Sequence, residues 1–75
     1  MLLLAREADV DATDNYGASP LHYSARAGHV TVTRLLVSAG ADVGARTRFG
    51  ARPSDWARRH QRNEWAEVEA LLEAA

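Results

Sequence analysis

At 75 residues the chain has room for one domain, and chains this short bury only about 60% of the surface they expose when unfolded. A hydrophobic share of 47% beside 25% charged residues excludes a disordered segment. A net charge of −1 and the absence of cysteine argue against bulk attraction to nucleic acid or an anionic membrane, and exclude disulfides and thiolate metal sites. A cysteine-free chain fits a reducing cytoplasmic or nuclear compartment. All nine basic residues are arginine. That bias follows GC-rich coding, and it also suits forked contacts to carboxylates.

In chain order, the start Met1-Leu2-Leu3-Leu4-Ala5 is apolar but too short for a signal or membrane segment, and Arg6, Glu7 and Asp9 follow at once. Residues 2–7 read as the end of a helix, and Ala8-Asp9-Val10-Asp11-Ala12 as extended chain leading to a turn at 14–17. A helix is expected over about 19–27. Ser19 can cap its free N–H groups, Pro20 suits the first helical position, and Gly28 can take the left-handed conformation that ends it. Val32, Leu35, Leu36 and Ala39 recur at i, i+3, i+4 and i+7 and predict a second helix over 30–39, stopped at Gly40. Ala41 to Ala45 then reads as extended, and 47–50 as a second turn. Pro53 starts a third helix. Asn63 tolerates the left-handed region and marks a break. A last helix is expected over 64–73, with Trp65, Val68, Leu71 and Leu72 on one side.

The chain repeats itself. Gly17 and Gly50, Pro20 and Pro53, and Ala8-Asp9-Val10 and Ala41-Asp42-Val43 are each separated by 33 residues. Late in the chain the offset grows to 35 or 36, since Leu71-Leu72 answers Leu36-Val37 or Leu35-Leu36. The last unit therefore carries two or three extra residues near 59–63, where a longer first helix would absorb them.

A 33-residue period opened by Gly17-Ala18-Ser19-Pro20-Leu21-His22, continued by Ala25, Gly28-His29 and Leu36-Val37, and closed by Gly40-Ala41-Asp42-Val43 resembles the ankyrin repeat. The resemblance implies an all-α solenoid of stacked antiparallel helix pairs joined by hairpin-like turns. It divides one domain, 1–75, into a partial repeat (1–13), a complete repeat (14–46) and a C-terminal capping repeat (47–75). The capping repeat departs from the pattern. Arg52 stands where Ser19 caps, Asp55 stands where His22 sits, and Arg58, Arg59, Arg62, Glu64, Glu67, Glu69 and Glu73 load it with charge. A terminal repeat needs such a polar outer face. The other end has only part of a unit. Arrays are normally stable from about three repeats upward, which points to upstream repeats or self-association at the N-terminal end.

Nothing in the chain carries catalytic chemistry. His22 and His29 have no acidic or cysteine partner at metal-ligand spacing, and Ser19 beside His22 is a capping arrangement. The resemblance gives both histidines a structural role, tying the turns of neighbouring units, and implies no catalytic residue, no metal and no cofactor. It also maps an exposed concave surface onto Asn15, Tyr16, Ala18, Tyr23, Arg26 and Ala27 in one unit and onto Arg48, Phe49, Ala51, Arg52, Trp56 and Arg59 in the next. Tyr, Trp and Arg most often anchor interfaces. Asp11 and Asp14 flank the first tip and Arg46, Arg48 and Arg52 the second, so the surface reads as graded from acidic to basic.

The expected function is a protein-interaction module or adaptor, with Tyr16, Phe49 and Trp56 supplying contact and Arg48, Arg52 and Arg59 selecting an acidic partner segment. Two alternatives stand beside it: a C-terminal regulatory segment of a larger, enzymatic protein, or a polyanion binder using the arginine cluster.

Overall fold

The computed structural model describes residues 10–75. Expectations for residues 1–9, including the helix end at 2–7 and most of the partial repeat, lie outside the described residues. Four helices follow: α1 (Pro20–Ala27), α2 (Val30–Ser38), α3 (Pro53–His60) and α4 (Trp65–Ala74). No strand occurs among the described residues, so the all-α expectation holds. No helix there is long and apolar enough to cross a membrane.

The helices form two side-by-side layers, α1 against α3 and α2 against α4. The link from α1 to α2 is only Gly28 and His29, which forces the two helices back to back in opposite directions. Between the layers lies one core of Leu21, Ala25, Leu36, Ala41, Ala57, Val68 and Leu72, with Val10, Val30, Val37 and Val43 packed against it. Ala25 and Ala57 are wholly buried; such small side chains leave room for the helices to lie close. Among the described residues every buried side-chain polar atom has a hydrogen-bond partner. Thr33 Oγ1 donates to the His29 carbonyl at 2.8 Å and accepts from Ser24 Oγ at 2.9 Å, with the Leu21 carbonyl, at 3.2 Å, sharing the Ser24 proton, so this pair ties α1 to α2.

Each helix pair is preceded by a turn of the same design. At the first tip Gly17 N–H donates to the Asp14 carbonyl, and Asp14 Oδ1 accepts from the Tyr16 and Ala18 N–H groups. At the second tip Gly50 N–H donates to the Thr47 carbonyl, and Thr47 Oγ1 accepts from Phe49 and Ala51. Thr47 stands 33 residues after Asp14, so a buried hydroxyl does the work of an exposed carboxylate at the same register.

Three expectations are corrected. First, the α2 stripe of Val32, Leu35, Leu36 and Ala39 is not the core face. Only Leu36 of the four is buried, while Val32, Leu35 and Ala39 are exposed. The helix is rotated so that Thr33, Leu36 and half-buried Val37 face inward, with the polar Thr33 accepted because both α1 and the helix backbone satisfy its hydroxyl. Second, the surplus residues of the last unit do not lengthen its first helix. α1 and α3 are each 8 residues long, and the surplus sits in the link, residues 61–64, that precedes α4. Thr33 and Val68, both wholly buried, are 35 apart and fix the surplus at two residues. Third, Ala41 to Ala45 is not extended. Ala45 N–H donates to the Asp42 carbonyl and Gly44 N–H to Asp42 Oδ1, closing a turn.

Candidate functional site

His22 holds the first helix start and the second tip together. It is buried, and its Nδ1 accepts from the Ser19 N–H at 3.1 Å. That leaves the proton on Nε2, which donates to the Ala51 carbonyl at 2.8 Å. Ser19 Oγ in turn accepts from the His22 N–H. The structural role expected of this histidine is therefore made by named atoms on both sides of the ring. His29 differs. Its imidazole is exposed and makes no hydrogen bond among the described residues, and only its backbone engages the fold, through Ser24 and Thr33. Both partners lie in the repeat of His29 itself, so the tie between neighbouring units expected of this histidine is not made among the described residues.

The two tips are locked side by side. Arg48 N–H donates to the Tyr16 carbonyl at 2.8 Å, and Arg48 Nη1 donates to the Asn15 carbonyl at 2.9 Å. Beside this lock Tyr16 is 59% exposed and Phe49 82% exposed. Phe49 is not folded against a neighbouring turn. Of the other positions mapped to the surface, Ala18 is buried because its N–H and carbonyl close the tip, and it does not belong to the surface. Ala27 and Ala51 are half-buried.

The charged side chains at the tips are engaged inside the molecule. Asp14 gives one carboxylate oxygen to the turn and accepts the Tyr23 hydroxyl on the other. That hydroxyl, and then the Ala18 and Tyr16 N–H groups, hold the Asp14 carboxyl below the usual carboxylate range against some desolvation. The same contact pushes the Tyr23 phenol up. Asp11 accepts from the Asp42 N–H. Arg46 donates to the Gly50 carbonyl. Arg52 lies 3.4 Å from Asp55, which is held low mainly by the Arg52 N–H and then by its guanidinium. Arg52 is thus charge-paired, whereas Arg46 and Arg48 are held by neutral carbonyls and keep their charge at the second tip.

A second cluster lies further along α1 and α3. Trp56 is half-buried and meets His22, Tyr23 and His60 edge to face, with ring centroids 5.1, 5.6 and 6.4 Å apart. The Arg26 guanidinium covers both Tyr23 and Trp56, at 5.2 and 5.7 Å from the ring centres. Arg59 is exposed on the same stretch of α3. The structure thus brings Tyr23, Arg26, Trp56 and Arg59 to one place and Asn15, Tyr16, Arg48 and Phe49 to another, with Arg52 at the start of α3.

Residues 61–64 add what the sequence reading missed. Gln61 and Asn63 are both left-handed, at φ 50° and 47°. Between them Arg62 lays its backbone against Gly28, so close that a β-carbon there would sit 1.8 Å from the Arg62 carbonyl oxygen. Asn63 Nδ2 donates to the Ala27 carbonyl at 2.7 Å and pins the link. His60 and Arg62 thereby join the cluster. Their one advance signal was the two-residue surplus in the 33-residue register. His60 is held below the ordinary histidine value, first by desolvation and then by repulsion from Arg26, Arg62 and Arg59. Among the described residues no three His, Asp or Glu side chains converge as a metal site.

On the outer side the charges pair. Arg58 Nε donates to Glu69 at 2.7 Å, and its Nη2 reaches Glu73 at 3.6 Å. These pairs join α3 to α4 at the surface.

The ankyrin repeat family model matches residues 16–48. Among curated proteins, the chain is similar to Ankyrin repeat protein OPG189 of Monkeypox virus, 44% identical over 46 residues, covering 61% of this chain and 8% of that protein. It is similar to Inversin of Danio rerio, 44% identical over 43 residues, covering 57% of this chain and 4% of that protein. It is similar also to the 2-5A-dependent ribonuclease of Mus musculus, 44% identical over 52 residues, covering 68% of this chain and 7% of that protein. The chain spans less than a tenth of the length of these relatives.

Proposed function

Since this chain belongs to the ankyrin-repeat family, whose units are generally non-catalytic protein–protein interaction modules, we propose that it docks a partner protein on the surface formed by its turn tips and the exposed sides of α1 and α3. The observation that carries this reading is the pair of exposed aromatics, Tyr16 and Phe49, on two tips that are hydrogen-bonded to each other. Large apolar side chains left in water cost solvation, about 25 cal/mol for each Å² of apolar surface, and among the described residues neither belongs to the hydrophobic core. Tips already tethered lose little conformational freedom on binding, which leaves more of the contact energy for affinity. Asn15, Tyr23, Arg26, Arg48, Arg52, Trp56 and Arg59 border the same surface. Its arginines give it the sign expected to select an acidic partner segment, and the role we propose for it is that of a scaffold or adaptor in the cytoplasm or nucleus.

The test is quantitative affinity capture from cell extract with the parent chain and with a Tyr16→Ala, Phe49→Ala double variant. Both side chains are exposed, so the variant should melt within about 1 kcal/mol of the parent. Proteins held by the parent should be lost or reduced at least tenfold, because aromatic anchors are worth about 2 kcal/mol or more each. An unchanged set of captured proteins would remove the tips from the interface.

A further inference from the structure

The far end of the first-helix surface carries a separate feature. Arg26 at the end of α1, Arg59 and His60 at the end of α3, and Arg62 in the link converge there. The arrangement is built rather than accidental. Arg26 is stacked on Tyr23 and Trp56, Trp56 meets the His60 ring, and Arg62 is held by the backbone contact at Gly28 and the Asn63 to Ala27 hydrogen bond.

The ordinary explanation for cations at this place is the helix dipole, since both α1 and α3 end here. That explanation falls short by charge counting. Two helix C-termini supply about one negative charge between them, each about half, against three guanidiniums. No ion pair joins Arg26, Arg59 or Arg62 to a carboxylate among the described residues, whereas Arg58, on the outer side of the same helix, has two carboxylate partners. The charges acting on His60 are Arg26 from α1, Arg59 from its own helix and Arg62 from the link, with no carboxylate on α1, α2 or α4 opposing them. The cluster is short of negative charge.

We propose that Arg26, Arg59 and Arg62, gathered around His60, form a clamp for the carboxylates of an acidic segment of the partner protein. This rests on the docking surface proposed above and names what its far end takes. Guanidinium groups bind carboxylates in a planar, two-bonded geometry, and the Trp56 and Tyr23 rings hold the Arg26 plane in place. Desolvation lowers His60 first and the arginines second; a bound carboxylate opposes both by favouring the charged ring, so binding takes up a proton and tightens as the pH falls through the histidine range.

The experiment is an NMR titration of the full chain with a capped hexaglutamate peptide, following the His60 ring resonances at pH 5.5 and 7.5. Expected are a saturable His60 shift, an upward move of its titration midpoint, and binding about three- to tenfold tighter at pH 5.5. Arg62→Glu should abolish the shift, and Arg59→Gln, a milder change at an exposed site, should weaken binding at least threefold. Arg34→Glu, on the exposed side of α2, should leave it intact. No His60 shift at saturating peptide, an equal loss in Arg34→Glu, or tighter binding of a single-stranded oligonucleotide than of hexaglutamate would each overturn the clamp. Failure here leaves the tip surface to its own test, because capture through Tyr16 and Phe49 does not involve His60.

Discussion

Ser19 with His22 and Arg52 with Asp55 occupy equivalent positions at the starts of α1 and α3, and they meet the same need with unequal means. In both units the third helical residue reaches back to accept the N–H of the capping residue, at 3.1 Å for His22 and 2.9 Å for Asp55. Ser19 returns the bond with its hydroxyl. Arg52 cannot, because a guanidinium has no acceptor. His22 also has a second nitrogen, and that atom reaches forward to Ala51 in the next unit. The single-letter change from His to Asp thus separates two tasks that look like one in the complete repeat: capping a helix, which many residues do, and tying one repeat to the next, which needs a ring with two opposed polar atoms.

The largest test of that separation is His22→Ala. It leaves the Ser19 N–H without the His22 ring and the Ala51 carbonyl with the Thr47 N–H alone, and opens a hole in a wholly buried site. A loss of about 3–5 kcal/mol is expected from the cavity and the lost hydrogen bonds together. Asp55→Ala removes the bond to the Arg52 N–H and an exposed pair with its guanidinium, leaves no buried site open, and should cost about 0.5–2 kcal/mol. Urea melts of both variants measure the difference. Equal losses would mean that His22, like Asp55, acts as a cap alone.

Gly28 and Gln61 extend the comparison to the other end of the helices. They stand 33 apart, both in the left-handed conformation, at φ 74° and 50°. Gly28 needs its missing side chain twice, for that φ and for the Arg62 carbonyl lying against it. Gly28→Ala should therefore cost about 2–4 kcal/mol, adding a left-handed penalty to an overpacking one. Gln61→Gly should do the opposite and stabilise the chain by about 0.5–1 kcal/mol, since only the conformational strain is removed. Thermal melts that moved both variants in the same direction would break the equivalence of the two sites.

This pairing also shows where the sequence was readable. The 33-residue register, the helix starts at Pro20 and Pro53 and the inward position of Leu36, Val68 and Leu72 were legible, because each rests on a local rule of backbone geometry or on periodicity. The facing of α2 was not. Leu35 and Leu36 are the same residue type, and a polar Thr33 takes the buried position only because Ser24, nine residues earlier, supplies a partner for its hydroxyl. No periodicity rule anticipates a buried Thr chosen over an exposed Leu that is 57% accessible. Among the candidate site residues, Tyr16 and Phe49 were legible as tip positions, whereas the commitment of Arg48 and Arg52 to internal partners depends on backbone carbonyls and an aspartate whose placement only the fold decides. His60 and Arg62 were hidden for the opposite reason. Their neighbourhood is made by a link that breaks the repeat, and repeat arithmetic is silent where the register slips.

The smallest expected effect concerns the two tips, where Asp14 and Thr47 hold equivalent turns. Asp14 differs by its bond to the Tyr23 hydroxyl, so that turn carries a pH dependence the Thr47 turn lacks. The folded-state value of Asp14 is lowered from 3.8, chiefly by Tyr23. Its contribution is therefore fully present above that pH and is lost as the pH falls through the lowered value. Tyr23 is raised from 10.0 by the same bond, so its contribution is full below pH 10 and is lost as the pH rises through the raised value. Tyr23→Phe removes the Tyr23 contribution and the largest part of that of Asp14, leaving the bonds from the Ala18 and Tyr16 N–H groups. The melting temperature of the variant should lie below that of the parent by a constant amount between about pH 5 and 9, and the gap should close on the acid side and again on the alkaline side. Replacing Thr47 by Val should lower the melting temperature by an amount that does not vary over the same range, because a hydroxyl carries no titration there. A Tyr23→Phe gap that stays constant from pH 2 to 11 would mean that the hydroxyl contributes without regard to the ionisation of Asp14, and the two tips would then differ in composition only.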